Sequence, residues 1–286
     1  MKFTKMHGLG NDYIYVNAIK EKVLNPAELA IKLSDRHFGI GADGLILIRE
    51  SDKADFRMEM YNADGSQGLM CGNGIRCAAK YVYDNRMIDR KDILIETLSG
   101  IKETIILPEG IQALRTPKVL VQVNMGVPKI EAVHAQVMLP DCNSSMVYDV
   151  DYISMGNPHA VVYVKTAKRE DGTDFAGVLT GFDITEIGPA FEVHRGKRNR
   201  VNTEFIYVAD RNTIEMRVWE RGSGETFACG TGACASAVSS IVRNLTEREV
   251  RIKLLGGDLL VKWSEADGNV YMTGAAETVF EGEMKL

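Results

Sequence analysis

Ala63-Asp64-Gly65-Ser66-Gln67-Gly68-Leu69-Met70-Cys71-Gly72-Asn73-Gly74 has a second copy in Arg221-Gly222-Ser223-Gly224-Glu225-Thr226-Phe227-Ala228-Cys229-Gly230-Thr231-Gly232. In each copy an alternating apolar strand runs into a polar loop. The loop delivers one cysteine, then Gly-x-Gly, then small and apolar residues. The two cysteines stand 158 positions apart. The same offset lays Phe56, Met58 and Met60 onto Ile214, Met216 and Val218, and Tyr61 onto Trp219. Alternation marks a strand with one buried face. Two similar halves, each presenting a thiol where a helix begins, form a symmetric two-thiol site. That is the central expectation.

Working outward, the chain of 286 residues is long enough for two domains. Its 45% hydrophobic and 26% charged residues are those of a soluble globular protein, and no apolar run reaches the length of a membrane span. A formal net charge of −5 gives no electrostatic reason to expect nucleic acid as a partner. The opening Met1-Lys2-Phe3-Thr4-Lys5-Met6-His7 lacks the apolar core of a signal peptide, so the cytoplasm is the expected compartment. Five cysteines in so long a chain argue against a disulfide framework. Cys77, Cys142 and Cys234 read as small buried hydrophobes.

The first strand is read at Tyr13 to Val16, after His7-Gly8-Leu9-Gly10-Asn11-Asp12. The second half repeats this with Gly156-Asn157-Pro158-His159 before a strand at Ala160 to Val164, so both asparagines are expected at a common site. Asn25-Pro26-Ala27-Glu28 reads as a helix start with a cap and a carboxylate capping back, the helix running to Asp35. Asp183-Ile184-Thr185-Glu186 reads as another, reaching Val193 with a kink or an early irregular turn expected from Pro189. Strands are read at 45–48, 56–61, 93–96, 103–107, 119–124, 204–208 and 214–219, and a hairpin joins 259–263 to 270–272 across Asp267-Gly268. A helix is read from Asn73 to Tyr83. The helix after Cys229 has almost no polar stripe and is expected to be buried all round. Leu107-Pro108-Glu109-Gly110 and Thr116-Pro117 punctuate the chain, giving domains 1–117 and 118–274.

A helix N-terminus stabilises negative charge, so a thiol there is expected to have a lowered pKa. One cysteine as thiolate is a base and the other as thiol is an acid. Meeting one carbon from opposite sides, they invert it. The developing carbanion needs stabilising, and backbone N–H groups of Gly72-Asn73 and Gly230-Thr231 suit an α-carboxylate. Cys71…Cys77 and Cys229…Cys234 are not Cys-x-x-Cys pairs and no histidine cluster accompanies them, so no metal site is read. Gly230-Thr231-Gly232-Ala233-Cys234-Ala235 follows a polar loop rather than a strand, which speaks against a dinucleotide fingerprint.

Together, His7-Gly8-Leu9-Gly10-Asn11-Asp12, Asn62-Ala63-Asp64-Gly65-Ser66, Cys71-Gly72-Asn73-Gly74-Ile75-Arg76-Cys77, Gly156-Asn157-Pro158-His159, Val201-Asn202 and Glu220-Arg221-Gly222-x-Gly224-Glu225-Thr226-x-Ala228-Cys229-Gly230-Thr231-Gly232 resemble the diaminopimelate epimerase family. The match runs to Met272-Thr273-Gly274-Ala275. The resemblance implies a cofactor-independent epimerase interconverting LL- and meso-diaminopimelate for lysine and peptidoglycan synthesis. It implies Cys71 and Cys229 as the acid–base pair, with His159 and Glu220 beside them. Asn11, Asn62, Asn157, Asn202, Glu220 and Arg221 would hold the substrate's amino and carboxylate groups. Gly72, Asn73, Gly230 and Thr231 would bind through backbone N–H. The implied fold is α/β (α+β): two pseudo-symmetric domains, each a barrel-like sheet wrapped around a central helix, with residues 275–286 returning to the first. A homodimer is implied by analogy. Gly44 departs from members that carry Gln there, and the loop 165–179 is longer than the family's common form.

Two other readings stay open. One is a proline or hydroxyproline racemase of the same broad class, against which Asn62, Asn157, Asn202 and Glu220-Arg221 favour a substrate with a polar far end. The other is a redox switch in which Cys71 and Cys229 form a reversible disulfide.

Overall fold

The computed structural model describes residues 1–108, 119–140, 145–164, 179, 183–196 and 198–285. Contacts divide the chain into two compact units, Met1–Asn124 with Thr273–Leu286, and Met125–Met272. The boundary expected at 117/118, Cys142, and the loop from 165 to 178 lie outside the described residues.

In the first unit, β1 (Lys2–Gly8) and β2 (Asn11–Asn17) form an antiparallel hairpin. Its two turn residues, Leu9 and Gly10, have φ of 58° and 85°, the two-residue turn whose twist suits a hairpin. β1 corrects the sequence reading, which places the first strand at Tyr13 to Val16. Its apolar residues Phe3 and Met6 lie on opposite faces of the strand, and both faces are buried, so no simple alternation marks it. Helix α1 (Pro26–Ser34) buries Ala30 and Leu33 completely. The expected backbone cap is absent: Asn25 makes no capping bond and instead donates from its amide to Glu28 at 3.1 Å.

β3 (Gly44–Arg49) lies parallel to β2 and antiparallel to β4 (Phe56–Asn62). The short β5 (Gln67–Gly68) folds back on β4 and leads to α2 (Gly72–Asp84). β6 (Asp92–Thr97) runs parallel to β4, and β7 (Gly100–Ile106) and β8 (Leu120–Gly126) follow antiparallel. Strands β1, β2, β3, β6 and β7 all pack on α2, so the sheet wraps around it. Ile75, Cys77, Ala78, Ala79 and Val82 have no exposed surface, and small residues among them let the strands close in. Full burial of a side chain such as Ile75 or Val82 contributes about 1.5–3 kcal/mol. Arg76 is also fully buried, its guanidinium donating to Ala275 O, Gly72 O and Asn73 Oδ1. A Cβ on Gly8 would stand 2.8 Å from that guanidinium, so only glycine fits where β1 crosses the helix start.

The second unit begins with β9 (Lys129–Pro140) and β10 (Ser145–Ser154), an antiparallel pair, then β11 (Pro158–Tyr163) beside β10. Helix α3 (Ile184–Val193) is capped by Asp183, which accepts from Thr185 N at 2.9 Å, and Pro189 lies inside it without ending it. β12 (Asn202–Asp210) is parallel to β11, and β13 (Thr213–Glu220) is antiparallel to β12. β14 (Gly224–Thr226) folds onto β13 and leads to α4 (Gly230–Val242). β15 (Glu249–Leu254) is parallel to β13 and β16 (Gly257–Trp263) antiparallel to β15. Gly230 and every residue from Gly232 to Ser240 are buried beneath strands of this unit, as the missing polar stripe implied. β17 (Val270–Ala275) carries the chain back, and β18 (Glu277–Glu283) pairs antiparallel with β1. Strands β9, β10, β15 and β18 were not read from the sequence. Much of β9 and β18 is exposed, so polar residues blur the alternation there.

Each unit is one sheet wrapped about one helix of 13 residues. The registers agree as well. Tyr13 faces Gly44 as His159 faces Asn202. Leu45 faces Tyr61 as Thr203 faces Trp219, and Tyr61 faces Gln67 as Trp219 faces Glu225. The α/β fold of two like halves is therefore the fold observed.

Candidate active site

Register converts the repeat into residue pairs. Cys71 pairs with Cys229, Asn11 with Asn157, Tyr13 with His159, Asn62 with Glu220, Asn73 with Thr231, Gly44 with Asn202 and Ile46 with Glu204. Both cysteines are helix N-cap residues with extended backbone, φ −128° for Cys71 and −118° for Cys229. The first turn of a helix leaves backbone donors unmet by the helix itself, and here it is made of Gly72-Asn73 or Gly230-Thr231. Glycine at the first position keeps side chains away from those donors.

In the first unit, the Cys71 sulfur accepts from Gly74 N at 3.4 Å and lies 3.3 Å from Asn11 Oδ1, onto which its S–H donates. Asn73 Nδ2 donates to the same oxygen at 3.3 Å. The Asn11 amide is fixed from behind, because its Nδ2 donates to Asp43 Oδ2 at 2.6 Å. Arg36 bridges Asp43 and Asp12. Asn62, at the end of β4, donates to Ser66 Oγ at 2.9 Å. Tyr13 was missed by sequence reasoning. Its hydroxyl is in hydrogen-bonding reach of Cys71, and burial, then the negative charge Cys71 bears once ionised, hold it well above the ordinary phenol range. The signal was its place opposite Gly44. A Cβ on Gly44 would meet Tyr61 O at 2.2 Å and the Tyr13 ring at 2.9 Å, so Tyr13 and a larger residue at 44 exclude each other.

The second unit surrounds its thiol with ionisable groups. Cys229 is buried, with its sulfur 3.5 Å from Thr231 Oγ1. Glu220 accepts from Cys229 and, at 2.5 Å, from Thr226 Oγ1. Burial holds the Glu220 carboxyl above its ordinary range. Burial, followed by the charges of Glu220 and Glu204, pushes the Cys229 thiol well above its own. This corrects the expectation of a lowered thiol pKa at both helix starts. A helix terminus contributes about 0.3–1 kcal/mol, less than removing a thiolate from water beside carboxylates costs. Asn157 Nδ2 donates to Thr231 Oγ1 at 3.2 Å, and His159 contacts Asn157 Oδ1 through Nε2 at 3.1 Å. Asn202 Oδ1 accepts from Arg221 N at 3.0 Å, while the Arg221 side chain is exposed. Glu204, also missed by the sequence reading, touches His159 Nδ1 at 2.7 Å with both side chains fully buried. The other cysteines of these helices, Cys77 and Cys234, are sealed in the cores, and burial pushes the Cys77 thiol up to about 11.

A duplicated sheet-around-helix scaffold is a class of fold with solved members. The chain superimposes on a phenazine biosynthesis protein of the PhzF family from Bacillus anthracis with a TM-score of 0.70 and 16% identity, covering 100% of this chain and 99% of that one. It also superimposes on a probable proline racemase from Agrobacterium radiobacter, with a TM-score of 0.64 and 15% identity over 100% and 93%. At the level of sequence the likeness narrows. The diaminopimelate epimerase family profile matches residues 3–131 and 151–279. Diaminopimelate epimerases of Methanococcus maripaludis and Acetivibrio thermocellus are 48% and 49% identical, covering 100% of this chain and 100% and 99% of theirs. The chain belongs to the diaminopimelate epimerase family.

Proposed function

We propose that the chain interconverts LL- and meso-diaminopimelate by moving a proton at one α-carbon between Cys71 and Cys229, without pyridoxal phosphate. The observation that carries this is the duplication: each half ends the same strand and loop in a cysteine capping a buried helix. Groups whose surroundings push their proton affinities apart divide the roles. Cys229, buried and beside Glu220, enters the reaction as the thiol. Cys71 enters as the base. It removes the α-proton while Cys229 protonates the opposite face, and the reverse reaction exchanges the roles. Backbone N–H groups of Gly72, Asn73, Gly230 and Thr231 would stabilise the charge spreading onto the α-carboxylate. Asn11, Asn62, Asn157, Asn202, Glu220 and Arg221 would hold the remaining amino and carboxylate groups. His159 orients Asn157 beside Thr231.

The test is incubation with LL-diaminopimelate in deuterated water, with L-proline in a parallel arm. Meso product carrying one deuterium supports the reading. Deuterium entering proline alone would falsify it. We further propose a reducing, cytoplasmic location, which suits a reaction carried by a pair of thiols, and a homodimer by family analogy. Light scattering on the purified chain decides the second.

A further inference from the structure

The geometry points to Glu204 as a positioning residue for the Cys229 half of the reaction. It holds His159 with both ring nitrogens protonated and so sets the direction of a hydrogen-bond chain that ends on the sulfur. This rests on the function proposed above. Glu204 Oε1 is 2.7 Å from His159 Nδ1, and Asn157 Oδ1 is 3.1 Å from Nε2. Both partners are acceptors, so both ring nitrogens donate. The Asn157 amide is thereby oriented, and its Nδ2 donates to Thr231 Oγ1 at 3.2 Å. The Thr231 hydroxyl proton is left to point at the Cys229 sulfur, 3.5 Å away. As a thiol, Cys229 donates to Glu220. Once it has given its proton to the substrate, the thiolate accepts from Thr231. The chain therefore supports the state that exists only after proton transfer.

The duplicated scaffold supplies the control. Ile46 occupies the position of Glu204 in the first unit, and Tyr13 that of His159. Both positions press on the second helix glycine: a Cβ on Gly74 would meet Ile46 Cδ1 at 2.8 Å, and one on Gly232 would meet Glu204 Oε1 at 2.4 Å. The fold thus accepts an apolar residue there, and a fully buried carboxylate is a costly alternative. Its second oxygen, Oε2, has no hydrogen-bond partner among the described residues. The groups facing it are His159 from β11, the start of α4 with Cys229, and Glu220 from β13.

Two variants test this. Glu204→Gln keeps the shape and an acceptor for Nδ1 but removes the charge. Without the carboxylate nothing compels both ring nitrogens to donate, so Asn157 is free to turn over, and Thr231 then no longer donates to the sulfur. The expected result is a fall of about tenfold or more in kcat at about pH 8, with KM little changed, and recovery toward wild type at about pH 6. Nitrogen-15 NMR of histidine-labelled protein reads the ring directly: both His159 nitrogens protonated in the wild type at about pH 7, one in the variant at about pH 8. Glu204→Ile copies Ile46 and is expected to fold but to lose activity at every pH. A Glu204→Gln loss that does not vary with pH, an unchanged profile, or a singly protonated wild-type His159 would each overturn the assignment. If the wild type fails to epimerise diaminopimelate, the function reading falls, while the NMR still decides the role of Glu204.

Discussion

Removing the Glu220 charge is expected to make Cys229 a stronger acid, and the structure bounds by how much. Glu220→Gln preserves the side-chain shape and an acceptor for Thr226. What it deletes is the charge that, after burial, does most to keep Cys229 protonated. A unit charge at about 4 Å in an effective dielectric of about 20 contributes about 4 kcal/mol, close to a thousandfold in the thiol–thiolate equilibrium. The burial component stays, and the new amide can donate to sulfur, which acts in the same direction. The thiolate fraction at fixed pH should rise by a factor between about ten and a thousand. The assay is the pH dependence of iodoacetamide alkylation at Cys229, in a Cys71→Ala background so that one active thiol reports. The midpoint should move to lower pH. A midpoint that stays put or rises would show that Glu220 does not act on this sulfur, and the assignment of Cys229 as the resting acid would fall with it.

Cys71→Ala and Cys229→Ala should each abolish inversion, a loss of about 10²–10⁴-fold or more, read as deuterium incorporation from solvent. Wild-type turnover by either would eliminate the two-thiol mechanism. Gly232→Ala should destabilise the protein by about 1–3 kcal/mol in urea titration, since its Cβ would land 2.4 Å from a fully buried carboxylate. Gly74→Ala should cost less, because the atom it meets is the flexible end of Ile46. Asp149→Asn addresses pH: the bond from Arg243, 2.6 Å at its shorter contact, outweighs partial burial and holds the Asp149 carboxyl below its ordinary range. A carboxyl lowered in the folded state adds stability above its unfolded pKa, and that stability disappears as pH falls through the folded value. The variant should therefore be less stable by about 1–3 kcal/mol near neutrality. The gap should close in acid, measured as urea midpoints from about pH 7 down to about pH 3.

What the sequence made legible was whatever repeats and whatever is buried on one side. Cys71 and Cys229 stood out because each opens a run of small residues after an alternating strand, and both became N-caps of helices matched residue for residue. Ala233, Ala237 and Val238 could be placed inside because the helix after Cys229 has no polar stripe. The strand β1 was hidden because both its faces are buried, so Phe3 and Met6 break the alternation. Tyr13 and Glu204 were hidden for a different reason. Each lies mid-strand, where a tyrosine or a glutamate reads as an ordinary core or surface residue. Only the pairing of β2 with β3, and of β11 with β12, brings them to a helix start distant in sequence.

Inversion needs two groups that differ by one proton, and identical halves would leave open which of them holds it. A perfectly repeated scaffold would give both thiols the same environment, and a shared proton would sit equally on either. On the proposed reading three substitutions resolve this while the backbone stays the same. Asn62 becomes Glu220, which places a charge at one sulfur. Tyr13 becomes His159, which replaces a phenol with a group able to donate from two sides. Ile46 becomes Glu204, which supplies the counter-charge that a doubly donating imidazole needs when both side chains are fully buried. The last two changes depend on each other: an imidazolium beside Ile46 would be an unpaired buried charge, and Glu204 beside a phenol would be another. They are therefore expected to be coupled in energy, and a double-mutant cycle on His159 and Glu204 should return an interaction well outside additivity. Additive losses in stability and in kcat would mean that the two residues entered the second half independently, and the shared hydrogen-bond chain would lose its basis.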